Sequence, residues 1–142
     1  MADTGSQQLV VFSLGSEEYA LPIGAVHEII RYTEPRAVAS RVAWIRGVIG
    51  LRGKIIPVYD LAARMGLEGT PGKIVIVESG SGQVGVMVDD VEEVLTVSAN
   101  ALEAVPTADR EAIAAIAKVG DRLVILLDAG GLFAGAEELA AA

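Results

Sequence analysis

The chain has 142 residues, 52% of them hydrophobic, and is long enough to bury a core as one domain or as two small fused lobes. A formal charge of -8 repels nucleic acid and anionic lipid, and the lack of cysteine excludes disulfides, thiolate nucleophiles and Cys-based zinc sites. Aromatic residues make up only 4%, so the core falls to Val, Ile, Leu and Ala, which favours strands wherever the branched residues cluster.

The first residues, MADTGSQQ, carry no Lys or Arg and no apolar stretch, so no secretory signal is read there. The longest apolar runs, such as Leu123 to Leu127, fall far below the ~18 residues of a membrane span. A soluble, cytoplasmic protein is expected, with residues 1–8 as a disordered tail, one domain over 9–136 and a short tail over 137–142.

From residue 9, LVVFSL and YALPI flank a short polar segment containing Gly15, which predicts a hairpin. Val26, Ile29 and Ile30 follow at 3,4 spacing, compatible with a helical turn or a strand extension, before TEPRAVASR turns loop-like around Pro35. Next, IRGVIGL and KIIPVYDL predict a second hairpin joined at Arg52 and Gly53, with Asp60 placed to cap a short helix. Pro57 demotes its strand to an edge or a bulge.

After EGTPG the order starts again. A shift of 65 lays Leu21 over Val86, Ile23 over Val88, Val26 over Val91, Glu28 over Glu93 and Ile29 over Val94. A shift of 68 lays Lys54 over Arg122, Ile55 over Leu123, Val58 over Leu126 and Asp60 over Asp128. The two shifts are reconciled by three inserted residues between the matched blocks. Approximate repeats over 9–67 and 73–134 therefore predict two similar β-rich lobes, each too small to bury its own core and packed on the other. PTADREAIAAIA, 106–117, predicts a short helix, and GAEELAAA at the C-terminus a fraying turn.

Gly80, Gly82 and Gly85 in ESGSGQVGVMVDD spell G-x-G-x-x-G. A dinucleotide fingerprint needs these glycines to lead from a strand into a helix, yet Val84 to Val88 continues as a β-rich run. The first repeat carries Gly15, Glu17 and Ala20 at the three positions, so a hairpin is the better reading, with Gly85 required by close packing beside a neighbouring strand. Asp89, Asp90, Glu92 and Glu93 form the densest carboxylate group, a possible cation or acid/base site. The interleaved Val91 and Val94 favour a strand with one solvated face instead. His27, the only histidine, lies between Val26 and Glu28 without a nucleophile motif to serve. The sequence thus lacks the parts of a catalytic centre, and neither cofactor nor metal is expected. Arg52 differs: its planar five-donor fork at a hairpin tip suits either partner carboxylates or an internal acid such as Glu28.

GVIGLRGKIIPVYDL resembles the signature of the CheW-like adaptors of bacterial chemosensory arrays, and EEYALPIGAVHEII, VGVMVDDVEEVLTV and AKVGDRLVILLD resemble other parts of that family, together spanning about residues 8–134. The resemblance implies an all-β fold of two intertwined five-stranded SH3-like barrels. It also implies a non-enzymatic scaffold coupling the cytoplasmic tip of chemoreceptors to the regulatory domain of the histidine kinase CheA, without nucleic acid and without direct membrane insertion. Matched by position, receptor contact in the groove between the lobes would involve Val26, Glu28, Gly47 and Arg52, with Val86, Val88 and Val91 as groove wall in the second lobe, although core burial is the expected role for at least two of these three. Kinase contact would fall on the outer apolar surface of one barrel, at residues the motif does not place. The chain departs from many relatives in carrying Gly50 where they have Asn before L-R-G. An adaptor for pilus motility or another chemosensory system would carry the same motifs.

Overall fold

A computed structural model describes residues 5–39, 44–79, 82–104 and 112–132. Eleven strands and two four-residue helices are defined among them. The first half runs β1 (Ser6–Leu14), β2 (Glu17–Pro22), β3 (Val26–Arg31), β4 (Ile45–Leu51), β5 (Lys54–Tyr59) and α1 (Leu61–Arg64). The second runs β6 (Lys73–Ser79), β7 (Gly82–Val88), β8 (Asp90–Ser98), the two-residue β9 (Leu102–Glu103), β10 (Ile113–Val119), β11 (Arg122–Leu127) and α2 (Ala129–Leu132).

The strands form a six-stranded sheet, β8-β1-β2-β11-β10-β9, and a five-stranded sheet, β3-β6-β7-β5-β4. Each sheet takes its first hairpin from one half of the chain and its remaining strands from the other. The shift of 65 carries the β1–β2 register onto β6–β7: Leu9 faces Pro22 and Ile74 faces Met87. The shift of 68 carries β4–β5 onto β10–β11, including an irregularity in both, between Ile45 and Gly47 and between Ile113 and Ala115. The duplication read in the sequence is thus an exchange of strands.

That exchange explains the unbroken apolar runs. Phe12, Leu14, Tyr19 and Leu21 of the six-stranded sheet meet Val75, Val77, Val84 and Val86 of the five-stranded sheet in a central cluster. The alternating residues, Leu9, Val11 and Ala20 in one sheet and Ile74, Ile76 and Met87 in the other, face separate clusters within each sheet. Strands buried on both faces have no polar side to display. The cost is tight clearance: a Cβ on Gly85 would lie 2.8 Å from Ile74 Cγ2, as expected for a glycine set by packing.

The five-stranded sheet curls until its edges meet. After β3 the chain pairs Tyr32 N–H with the Gly72 carbonyl, then crosses to β4, where Arg36 and Val48 exchange both backbone hydrogen bonds at 2.8 and 2.9 Å. Gly47 makes the crossing possible, since a Cβ there would overlap the Arg36 carbonyl. In the six-stranded sheet β9 pairs with β10 at the equivalent place, Glu103 opposite Ile116.

Three expectations change. β5 is an interior strand, not an edge. Pro57 is accommodated because Val48, opposite it, sends both backbone groups outward to Arg36. Its missing N–H is felt on the other side: Ile125 pairs with Tyr19 in the six-stranded sheet, whereas parallel pairing of β5 with β7 starts only at Val58 and Gly85. Residues 113–117 form β10 instead of the C-terminal part of a helix, because pairing with β11 overrides the helix preference of alanine, while 106–111 and the C-terminal segment lie outside the described residues. Ser6 to Gln8, expected as disordered tail, pair with Thr96 to Ser98.

Gly47→Ala is expected to lower the unfolding free energy by about 1–3 kcal/mol in urea titrations. Gly50→Ala, where an added Cβ meets nothing within 4 Å, is the control and leaves the midpoint unchanged or raised.

Candidate binding surface

The tip of the β4–β5 hairpin is a two-residue turn with Arg52 at φ +50° and Gly53 at φ +79°. Positive φ at both central residues is the type I′ pattern that matches strand twist. Arg52 Nη1 donates to Glu28 Oε1 on β3, so the guanidinium joins the two edge strands while its side chain stays 69% exposed. His27 Nε2 lies 3.8 Å from the same carboxylate oxygen. The two readings of Arg52 are therefore compatible: one part of the fork holds Glu28 and the rest faces outward.

The second half builds the same closure more tightly. Arg122, one residue past the turn centred on Gly120 and Asp121, donates through Nε and Nη2 to Glu18 at 3.0 and 2.9 Å and through Nη2 to Glu93 at 2.7 Å. These bonds, first to Glu18 and then to Glu93, raise the guanidinium pKa above its ordinary value, and the Arg122 hydrogen bond holds the Glu18 carboxyl below its own. Glu93 is the repeat counterpart of Glu28, but Arg122 is gripped by two carboxylates and Arg52 by one.

Val26 is half-buried against the central cluster, and so is Val91. Glu28 is half-buried and shares one surface with Arg52, whereas Gly47 contributes the backbone crossing and no side chain. Val86 and Val88 are buried in the central cluster at 0% and 1% exposure, so their side chains belong to the core and form no groove wall. The carboxylates of the DDVEEV stretch go separate ways: Asp89 accepts from Gly15 N–H at 2.9 Å, Asp90 from Val91 N–H, and Glu93 binds Arg122. Among the described residues no group of three or more His, Cys, Asp or Glu side chains is placed to hold a metal ion.

Sequence reasoning missed the exposed aliphatic residues. Ile55 and Leu123, repeat counterparts, are 69% and 60% exposed, and Ile29 and Val94, also counterparts, are exposed as well. Ile55 was hidden because Lys54 to Tyr59 lacks the polar alternation that tells the outer face from the inner. The available signal was the repeat, which sets an aliphatic residue next to a basic one at both hairpin tips.

A duplicated pair of barrels with exposed aliphatic residues and a partly committed arginine fork defines a class of protein: a module that binds other macromolecules through its surface. Residues 8–137 match the family model described as the CheW-like domain, and the chain belongs to that family. It is 32% identical to the chemotaxis protein CheW of Klebsiella aerogenes over 95% of this chain and 86% of that protein. Against the chemotaxis protein CheW of Bacillus subtilis it is 30% identical, covering 89% and 86%. The crystal structure of the scaffolding protein TtCheW from Thermoanaerobacter tengcongensis superposes with a TM-score of 0.80 at 37% identity, covering 89% of this chain and 92% of that one. Protein PilI of Pseudomonas aeruginosa is 31% identical over 56% of this chain and 47% of its own length. Among the described residues no helix is long and apolar enough to cross a membrane.

The Glu18–Arg122 contact sets a pH dependence. A carboxyl depressed from 4.5 contributes stability that is complete above that value and is lost as pH falls through the folded-state pKa. Arg122→Ala should therefore melt below the wild type at neutral pH, and the gap should close as the pH is taken well below 4.5 in thermal scans.

Proposed function

We propose that this chain is a non-enzymatic coupling adaptor of a bacterial chemosensory array, joining the cytoplasmic tip of a chemoreceptor to the regulatory domain of the CheA histidine kinase. The observation that carries this reading is the Arg52 tip. A guanidinium held at one nitrogen by Glu28 and otherwise exposed is already oriented, so little freedom is lost when it meets a partner's carboxylate or carbonyl. Val26, Glu28 and Val91 belong to the receptor side in this reading, with Gly47 acting through the position of β4 and the core residues Val86 and Val88 supporting from beneath. The exposed Ile55 and Leu123 are the aliphatic surfaces suited to pairing with the kinase's barrels. Each contact need only be modest, because several weak sites within one lattice reinforce one another through effective concentration. The same association places the protein in the cytoplasm beside receptor arrays.

A second reading, an adaptor for pilus motility, is favoured by one observation, the similarity to Protein PilI across about half of the chain. The receptor class recovered with the protein separates the two.

In calorimetric titration, Arg52→Ala should weaken binding of a receptor-tip fragment by roughly 1–3 kcal/mol while altering fold stability by less than about 1 kcal/mol. Kinase regulatory-domain binding should persist in that variant. Unchanged receptor affinity in Arg52→Ala removes Arg52 from the site, and failure of the unmodified chain to bind either fragment removes the adaptor reading.

A further inference from the structure

A concavity of about 490 Å³ opens where the chain passes from its first half to its second. Between α1 and β6 the chain is tied to the ends of β3 and β7. Leu67 N–H donates to the Ala62 carbonyl at 2.8 Å, Gly72 N–H to the Val88 carbonyl at 2.9 Å, and Tyr32 N–H to the Gly72 carbonyl at 3.0 Å. Leu67, Pro71 and Met87 give the concavity apolar wall, and Tyr32, Glu68 and Asp89 give it polar wall. Arg46 and Asp60 also line it.

The charges of this lining do not cancel. Arg46 Nη2 donates to Asp60, so these two neutralise each other. Glu68 and Asp89 are left over, and no cation among the described residues pairs with either. The backbone at Glu68 and Gly69 lies against the Asp89 carboxylate: a Cβ on Gly69 would overlap Asp89 Oδ1, while Asp89 Oδ2 accepts from Gly15 N–H at 2.9 Å. The second half of the chain shows that a barrel does not require this set. The shift of 65 puts Val97 at the place of Tyr32 and Gly24 at that of Asp89, and the shift of 68 puts Ala114 at that of Arg46. Only Asp60 is kept, as Asp128, and each of these accepts from the backbone of the short helix that follows it.

We propose that this concavity receives a lysine side chain carried on an extended segment of a partner protein. The methylene stem lies along Leu67, Pro71 and Met87, and the ammonium reaches the carboxylates of Glu68 and Asp89, with the Tyr32 hydroxyl as a further acceptor. Charge selects this occupant. Three carboxylates against one guanidinium leave the lining two negative charges in excess, which repel an acidic side chain. An apolar side chain would cover the two carboxylates and return no hydrogen bond for the water it displaces. A metal ion fits poorly, because no group of three or more ligating side chains converges among the described residues. Arg46 stands near the start of β4 and Arg52 beyond its end, so this site is separate from the Arg52 tip and does not rest on the adaptor reading.

Met87, one of three methionines, reports from the wall itself. Its methyl resonance is followed by NMR at low salt as acetyl-Gly-Lys-Gly-amide is added, with norleucine- and glutamate-centred peptides in parallel. Norleucine keeps the stem and drops the charge. The lysine peptide should shift the signal saturably with Kd below about 10 mM, and the other two should bind at least about threefold more weakly. Glu68→Gln changes an exposed side chain, and Asp89→Asn keeps an acceptor for Gly15 N–H, so both variants should stay folded. Each should weaken the lysine peptide about threefold, and the double variant should bind it no better than the norleucine peptide. Absence of a saturable shift in the unmodified chain, equal binding of the lysine and norleucine peptides, or undiminished lysine binding in the double variant would each overturn the proposal.

Discussion

Neither half of this chain can bury its own first hairpin, and the rest of the architecture follows from that. β1–β2 and β6–β7 are apolar on both faces, so each needs a cover on two sides. One face of each hairpin is covered by the other hairpin across the central cluster. The second is covered by curling the sheet, with strands borrowed from the other half completing it. A half of the 142-residue chain closed on itself would leave the central cluster in water, a heavy loss for a chain of this size. Exchange makes the two barrels one cooperative unit, and the short helices reinforce the joint: Arg64 on α1 donates to the Leu132 carbonyl on α2 at 3.0 Å and to the buried Tyr59 hydroxyl at 2.6 Å.

Curling the sheets fixes the candidate surface. Once Arg36 crosses to pair with Val48, the start of β3 and the tip of β4–β5 stand at one end of the barrel, and Glu28 reaches Arg52. The surface is therefore assembled from residues 24 apart in sequence by the backbone bonds that hold the barrel shut. Gly47 belongs to this machinery as the place where two backbones approach too closely for a side chain.

Much of this was legible in the residues. Hairpins were marked by turn glycines between branched runs, the Asp60 cap by its place before α1, and the duplication by paired shifts. The failures have physical causes. IAAIAKV has the composition of a helix, and only its partners make it a strand; extending the shift of 68 back from Arg122 to Ile113 would have laid it over Ile45 and given β10. Pro57 reads as the mark of an edge or a bulge because a sequence does not show that the residue across from it bonds elsewhere. Val86 and Val88 are legible only as groove wall or core, because a strand buried on both faces has no pattern separating interior from surface, and both fill the core, the role expected for at least two of the three valines. Ile55 and Leu123 escaped notice for the same reason, with the opposite outcome.

The two halves share a backbone so nearly in register that differences in their surfaces are not dictated by the fold. Among the described residues, 26–88 carry seven cations against five carboxylates, while the remainder carry two cations against nine. Both cations of the second group, Lys118 and Arg122, are tied to glutamates, whereas Lys54 beside Ile55 has no ion-pair partner among the described residues. One exposed aliphatic residue thus sits in a basic setting, and its counterpart Leu123 follows an arginine already neutralised and lies near Asp121. A carboxylate-rich partner that meets favourable charge at Ile55 meets repulsion at Leu123, so the field sorts partners before contact is made. Duplication has given one barrel twice, with two faces of unlike charge.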